Sequence, residues 1–218
     1  MSETGARPKR SAEERAHRAE RKAERAANKA KVRDTFLKRL NRGGVAVEIG
    51  VWHGEFSEKI LELIAPEKLY LIDPWANVTE DSHSEAFVGR TENAKMERIF
   101  KAVQKKFASE VREGRVEIIR DWSTLALNRF EPGSIDFAYV DGDHSYDGVC
   151  ADLEALFPKM RVSGVMAFDD YHRRGWWGDG VVRAINEFLG RYPDQLRIRA
   201  IAGAQLAIEK MEPLKSSG

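Results

Sequence analysis

Five short apolar runs constrain this chain more than any other feature: Val45 to Ile49, Leu69 to Ile72, Val116 to Ile119, Ile135 to Val140 and Val165 to Phe168. Each is rich in strand-forming residues, and helix-length segments separate them. Parallel strands need such crossovers, so the pattern predicts an α/β, doubly wound, mostly parallel Rossmann-like sheet. Helices are expected over Glu55 to Ile64, Thr91 to Ala108, Trp122 to Arg129, Tyr146 to Phe157 and Gly180 to Leu189, with Pro66 and Pro158 as stops. Two final runs, Leu196 to Ile201 and Gln205 to Ile208, lie too close together for a crossover. They should pair antiparallel around Gly203, completing seven strands with an antiparallel last one.

The 218 residues, 42% of them hydrophobic, are enough for one sizeable core. A single cysteine, Cys150, excludes an intramolecular disulfide framework, and no apolar run reaches the roughly 20 residues of a membrane span. The basic, alanine-rich start has no apolar signal core, so a cytoplasmic location is expected. Charge is unevenly placed: residues 1–42 hold 14 Lys+Arg against 6 Asp+Glu, a net +8, and the remainder holds 22 against 29, a net −7. Ser11 and Glu14 match a capping box, and Ala12, Ala16, Ala19, Ala23, Ala26 and Ala30 recur at helical spacing. Residues 1–33 therefore read as a basic helical or disordered arm on a folded domain of residues 34–218. An alanine seam buries little area, so the arm is weakly held unless Phe36, Leu37 and Leu40 dock it. Its charges read most simply as a solvated face. With no aromatic residue before Phe36, a nucleic-acid partner is not expected.

The first run feeds the turn Gly50-Val51-Trp52-His53-Gly54. A dinucleotide turn needs a second glycine for close approach of a pyrophosphate, and here Trp52 stands in its place. Glu48 would also put negative charge beside a phosphate. A ligand with a cationic amino group and no phosphate suits Glu48 better, and S-adenosylmethionine has that character. Asp73, closing the second run, is placed to accept from ribose hydroxyls.

Asp141-Gly142-Asp143-His144 and Asp169-Asp170 close the fourth and fifth runs. Carboxylates gathered in a crevice must be compensated by a cation or by raised pKa values. Oxygen-rich donors without cysteine favour Mg²⁺ or another hard divalent metal. The plainer alternative is that Asp143 and Asp147 cap the next helix while Asp169 and Asp170 are solvated loop residues.

VEIGVWHGEFS, LYLIDPW, DFAYVDGDHSYDGVCADLEALFPKM and GVMAFDDY together resemble the class I S-adenosylmethionine-dependent methyltransferases, specifically methyltransferase family 24, over roughly Asp34 to Lys210. The group is related to catechol-type and to macrolide or aminocoumarin sugar O-methyltransferases. The resemblance implies Asp141, Asp169 and Asp170 as metal ligands and either Asp143 or His144 as general base, His144 being favoured because imidazole titrates near neutrality. It places Glu48 and Gly50 on the methionyl side of the cofactor, Asp73 at the ribose and Asp121 with Trp122 at the adenine, although a tryptophan at a helix start is also a common core residue. Trp52, Gly54 and Asp141 complete the cofactor-binding set. Cys150 is assigned no role as a nucleophile.

Acceptor choice should lie in the longer loops, Trp75 to Arg90 and Tyr171 to Asp179. Tyr171, His172, Trp176 and Trp177 in the second are candidate substrate contacts, able to cover a flat acceptor. Packing on the N-terminal helix, or a homo-oligomer formed through that helix or this loop, would cover the same aromatics. The activity implied is divalent-metal-dependent O-methylation of a small hydroxylated metabolite. Metal-independent N- or O-methylation and a non-catalytic cofactor-binding module are the alternatives.

Overall fold

The structure, a computed structural model, describes residues 12–76, 93–173, 175 and 177–213. A seven-stranded sheet carries helices on both faces. Its strands are β1 (Val45–Ile49), β2 (Lys68–Ile72), β3 (Val116–Ile119), β4 (Ile135–Val140), β5 (Met160–Phe168), β6 (Leu196–Ala202) and β7 (Gln205–Lys210), in the order β3-β2-β1-β4-β5-β7-β6. The first five pair in parallel, and β7 runs antiparallel to both β5 and β6. The chain direction of the strand order reverses beside β1 and β4, so the loops following these two strands open a crevice at the carboxyl edge.

The helices are α1 (Ala12–Leu37), α2 (Glu55–Leu63), α3 (Asn93–Lys106), α4 (Ala108–Arg112), α5 (Ser123–Ala126), α6 (Tyr146–Leu156) and α7 (Gly180–Arg191). Strand side chains alternate between two apolar layers. Ala46, Phe137, Tyr139, Val165 and Ala167 face Phe36, Leu37, Ile60, Met96 and Ile99 on the side of α1, α2 and α3. Val47, Ile49, Ala138, Val140, Met166 and Phe168 face Val149, Leu153, Ile185 and Phe188 on the side of α6 and α7. By the same alternation, Glu48 and Asp169 turn toward the α1 side, where Glu48 meets Ser57 of α2 and Asp169 meets α1.

Most differences from the sequence expectations lie at element ends. β5 begins at Met160 rather than Val165; Arg161, Val162 and Ser163 are exposed, so they lack the continuous apolar run of a covered strand, and Ser163 takes φ 68°. The helix expected to reach Ala108 ends at Lys106, and the charged segment that follows forms the short α4. Helix α5 is a single turn continued by a 3₁₀ turn over Leu127–Arg129. α1 passes without a break through the boundary expected at residue 33 and packs on α2 and β6. Its described side chains from Glu14 to Lys31 are exposed, whereas Phe36 and Leu37 are fully buried and Leu40, just beyond, nearly so. Ser11, and Asn77 to Arg90 of the loop after β2, lie outside the described residues. Among the described residues no helix is long and apolar enough to cross a membrane.

Phe36→Ala should lower stability by about 3–5 kcal/mol, the cost of emptying a large core position. Urea unfolding followed by circular dichroism would show it; an unchanged midpoint would mean that α1 is not anchored through this ring.

Candidate active site

The turn after β1 is shaped by backbone crowding and by one carboxylate. Gly50 takes φ 85°, and a Cβ there would lie 2.2 Å from the carbonyl oxygen of Asp141, so the β1 and β4 ends can approach this closely only with glycine. Trp52 follows at φ 52° and Trp75 at φ 40°. Asp73 holds both: Trp52 N donates to its Oδ2 at 2.9 Å and Trp75 N to its Oδ1 at 2.7 Å. The Trp75 indole donates to the Trp52 carbonyl at 2.9 Å, closing a clasp between the β1 and β2 loops. Burial raises the Asp73 pKa, and the backbone N–H groups that it accepts oppose that rise. Gly54, at φ 71°, begins α2.

Glu48 is almost fully buried and hydrogen-bonded with the Ser57 hydroxyl. Burial pushes its carboxyl up to about 8, with the Ser57 bond acting in the opposite direction. It is therefore largely protonated near neutrality, and a cation brought beside it would favour its ionisation.

At the end of β3, Asp121 Oδ1 accepts from the Trp122 backbone N–H at 2.8 Å, and the Trp122 ring is 45% exposed. The alternative of a core tryptophan is thereby set aside, leaving an aromatic face open at the sheet edge. Behind it, Ser123 bonds the buried Asp152 of α6. Burial pushes the Asp152 carboxyl up to about 7, against the Ser123 bond.

The β4 and β5 ends hold the acidic cluster, and α1 supplies its counter-charges. Arg33 Nη2 lies 3.5 Å from Asp141 Oδ2 and 3.2 Å from Asp169 Oδ2, so one guanidinium bridges two strand ends. Lys29 Nζ lies 3.4 Å from Asp169 Oδ2 and 3.6 Å from Asp170 Oδ1. Arg33 also donates to the Tyr139 hydroxyl at 2.7 Å, and its guanidinium carbon stands 4.1 Å from the centre of the Phe56 ring. Tyr139 donates in turn to Gln205, whose amide bonds Asp169. Burial would raise the Asp169 pKa, but Arg33 and then Lys29 outweigh it and hold the carboxyl below its usual range. Asp141 lies on the other side of that balance, its pKa raised chiefly by burial. The buried Arg33 Nε has no hydrogen-bond partner among the described residues. An unpaired buried donor costs about 1–3 kcal/mol.

This arrangement bears on the metal ligands implied by the resemblance. Asp141, Asp169 and Asp170 do not fit a shared divalent ion, because Arg33 bridges the first two and Lys29 the last two at 3.2–3.6 Å. The donor atoms that converge within 4.8 Å of one another are those of Asp141, His144 and Asp170. Any divalent ion there would share Asp141 with a guanidinium and Asp170 with an ammonium.

The two base candidates are placed differently. Asp143 accepts from Ser145 N at 2.8 Å and from Ser145 Oγ at 3.0 Å, while Ser145 Oγ accepts from Gly148 N at 3.1 Å to cap α6. His144 turns into the cluster, with Nε2 3.1 Å from Asp141 Oδ1 and Nδ1 3.8 Å from Asp170 Oδ2. Burial lowers the imidazole pKa, but the Asp141 hydrogen bond and the charges of Asp141, Asp170 and Asp169 raise it above the usual value overall. Asp170, itself at φ 55°, lies 3.4 Å from His172 Nε2.

Of the aromatic loop, Trp177 packs edge-on against His144 with ring centres 4.8 Å apart, and its indole donates to the His172 carbonyl at 3.3 Å. Tyr171 turns away, its hydroxyl donating to Asn186 of α7 at 2.8 Å. Trp176 lies outside the described residues. Cys150 is half-buried and lines a groove between α6 and α7 with Tyr146, Glu154, Glu187 and Arg191. Lys29, Arg33, Tyr139 and Gln205 belong to the site without having been singled out as functional in the sequence. The available signal was spacing, since positions 29, 33, 36, 37 and 40 share one helical stripe.

The Asp152 carboxyl generates a pH dependence. Folding raises its pKa, so it costs nothing below the ordinary value of 3.8, and it destabilises progressively as pH climbs to about 7. Asp152→Asn keeps the shape and removes the charge. It should gain on the wild type by on the order of 2 kcal/mol between about pH 5 and about pH 8. Parallel denaturation curves across that range would sink this reading of Asp152.

A family model described as a methyltransferase domain, methyltransferase family 24, matches residues 47–171. An uncharacterized protein, y4gI of Sinorhizobium fredii, is 30% identical over 128 residues, which is 57% of this chain and 13% of that protein. The chain thus spans a small part of that relative and 26% of a second, an uncharacterized mimivirus protein. Among solved structures, a Streptococcus mutans protein in complex with SAH aligns with TM-score 0.55 and 14% identity, over 84% of this chain and 97% of that one. The O-methyltransferase NovP aligns with TM-score 0.56 and 18% identity, over 83% and 76%. An rRNA methylase from Streptococcus thermophilus aligns with TM-score 0.54 and 14% identity, over 82% and 94%. These likenesses establish the fold, and the family match, which covers more than half of the residues, establishes that the chain belongs to methyltransferase family 24 of the class I S-adenosylmethionine-dependent methyltransferases.

Proposed function

We propose that this methyltransferase O-methylates a small hydroxylated acceptor, such as a sugar, a phenol or a polyketide-like metabolite. The observation that carries the reading is His144, held 3.1 Å from Asp141 at the carboxyl edge and flanked by Trp177. An alcohol or phenol becomes a competent nucleophile only as its proton leaves, and the His144 imidazole takes that proton in its neutral form, which its raised pKa makes more abundant toward alkaline pH. Asp141 and Asp170 stabilise the imidazolium that results. Asp143 is engaged instead with Ser145, the residue that caps α6.

The cofactor contacts follow the three strand ends. Glu48, Gly50, Trp52 and Gly54 form the methionyl side, Asp141 adjoins it, Asp73 faces the ribose, and Asp121 with the exposed Trp122 ring receives the adenine. S-adenosylmethionine supplies an electrophilic methyl carbon, so no covalent enzyme intermediate is required and Cys150 has no chemical part. The protein's contribution is alignment and charge placement. Trp177 and His172 would border the acceptor. NovP, an O-methyltransferase by name, supports this reading, whereas the rRNA methylase together with the basic residues 1–42 would support an RNA acceptor.

Incubation with methyl-labelled cofactor and a cell extract, followed by separation of small molecules from RNA, distinguishes the two. Label should appear in the small-molecule fraction. His144→Asn should reduce transfer by about 10²–10⁴-fold while leaving binding of S-adenosylhomocysteine intact. Trp122→Ala should weaken that binding up to about tenfold, measured by calorimetry. Label confined to RNA, or full activity without His144, would defeat the proposal.

A further inference from the structure

We infer that Lys29 and Arg33 are the counter-cations of this site, standing where the resemblance implies a divalent metal, so that methyl transfer by this chain proceeds without one. The inference deepens the reading of the chain as an O-methyltransferase and rests on it for the reaction concerned. Its basis is geometric. Three aspartates converge at two strand ends, and the two cations of α1 reach all three of them at 3.2–3.6 Å. Asp141, Asp169 and Asp170 bring three potential negative charges, Lys29 and Arg33 return two positive ones, and His144 lies among them. Little uncompensated charge is left to draw in a dication, and a dication would meet like charge in contact with its own ligands.

The helix that carries these cations is anchored, and the guanidinium is fixed in place. One turn after Arg33, Phe36 and Leu37 enter the core, and Val32 lies against Gly203 in the β6–β7 turn. Arg33 is clamped further by the Tyr139 hydroxyl and by the Phe56 ring, and only 18% of its side chain is exposed. A guanidinium with a planar fork suits this bridging of carboxylates on neighbouring strands. Its Nε–H, buried and unpaired among the described residues, is a further donor that a purely structural arginine would be expected to satisfy.

Arg33 and Lys29 are positioning residues here: they hold Asp141 and Asp169 in the geometry that His144 and the acceptor require. Removing the guanidinium should free Asp141, and removing the ammonium as well should free Asp170, so that these two and His144, whose donor atoms already lie within 4.8 Å of one another, can take up a metal. The test is titration with Mn²⁺, followed by the electron paramagnetic resonance signal of the free ion. It is run on the full chain with S-adenosylhomocysteine binding measured on the same samples. Wild type should bind S-adenosylhomocysteine, bind Mn²⁺ no tighter than millimolar, and transfer label equally with and without EDTA. Arg33→Gln and the double variant Lys29→Gln/Arg33→Gln should gain Mn²⁺ affinity about tenfold or more, while Arg33→Lys should stay near wild type. Stoichiometric micromolar Mn²⁺ binding by wild type, transfer abolished by EDTA and restored by Mn²⁺, or a folded Arg33→Gln that gains nothing would each overturn the inference. The wild-type titration decides even if Arg33→Gln does not fold. Failure of wild type to bind S-adenosylhomocysteine would instead count against the methyltransferase reading, which the Mn²⁺ result leaves separate.

Discussion

The contact between Arg33 and Asp169 joins the two halves of this molecule's design. Asp169 must lie on the α1 side of the sheet, because side chains alternate along β5 and Phe168 before it is committed to the opposite core. A buried carboxylate there needs a partner, and among the described residues the cations that reach it, Arg33 and Lys29, both come from α1. The guanidinium comes from a helix anchored by Phe36 and Leu37, so the electrostatics of the crevice depend on apolar packing about one helical turn away. The hydrogen-bonded line from Arg33 through Tyr139 and Gln205 back to Asp169 closes the arrangement into a ring, with the remaining acceptor sites of the carboxylate turned toward Lys29 and the Asp170 backbone.

Much of the fold could be read from the sequence because the central strands are covered on both faces. Such strands appear as unbroken apolar runs, and four of the five positions in β1 are fully buried. The signal fails where that physical condition fails. The first residues of β5 after Met160 are exposed, so they form no unbroken apolar run, and Val162 alone is too little to mark a strand. α4 is a charged single turn whose helical state is set by the preceding helix rather than by an apolar stripe of its own.

The site was legible in its acids and obscure in its cations. Asp73, Asp141, Asp169 and Asp170 each follow an apolar run, and position alone assigned them to one edge. Lys29 and Arg33 sat inside a segment whose excess positive charge suggested a solvated face, a property of the whole stretch that says nothing about a single stripe within it. Only when the helix is seen to dock through residues 36, 37 and 40 do positions four and seven residues earlier acquire a direction. The division between Asp143 and His144 was likewise closed to sequence reasoning, since either can cap a helix or take a proton; here Ser145 accounts for the first.

Glycine is the usual means by which a chain folds tightly around a nucleoside, and the first turn here relies on it only in part. Trp52 and Trp75 adopt left-handed backbone angles under the hold of Asp73, so large rings stand at corners where a glycine-rich loop would carry no side chain at all. The corner consequently brings its own wall: Trp75 is fully enclosed against Phe100, and the Trp52 ring lies beneath Lys95. A loop built this way trades conformational tolerance for a prebuilt contour, and that contour exists before any guest arrives.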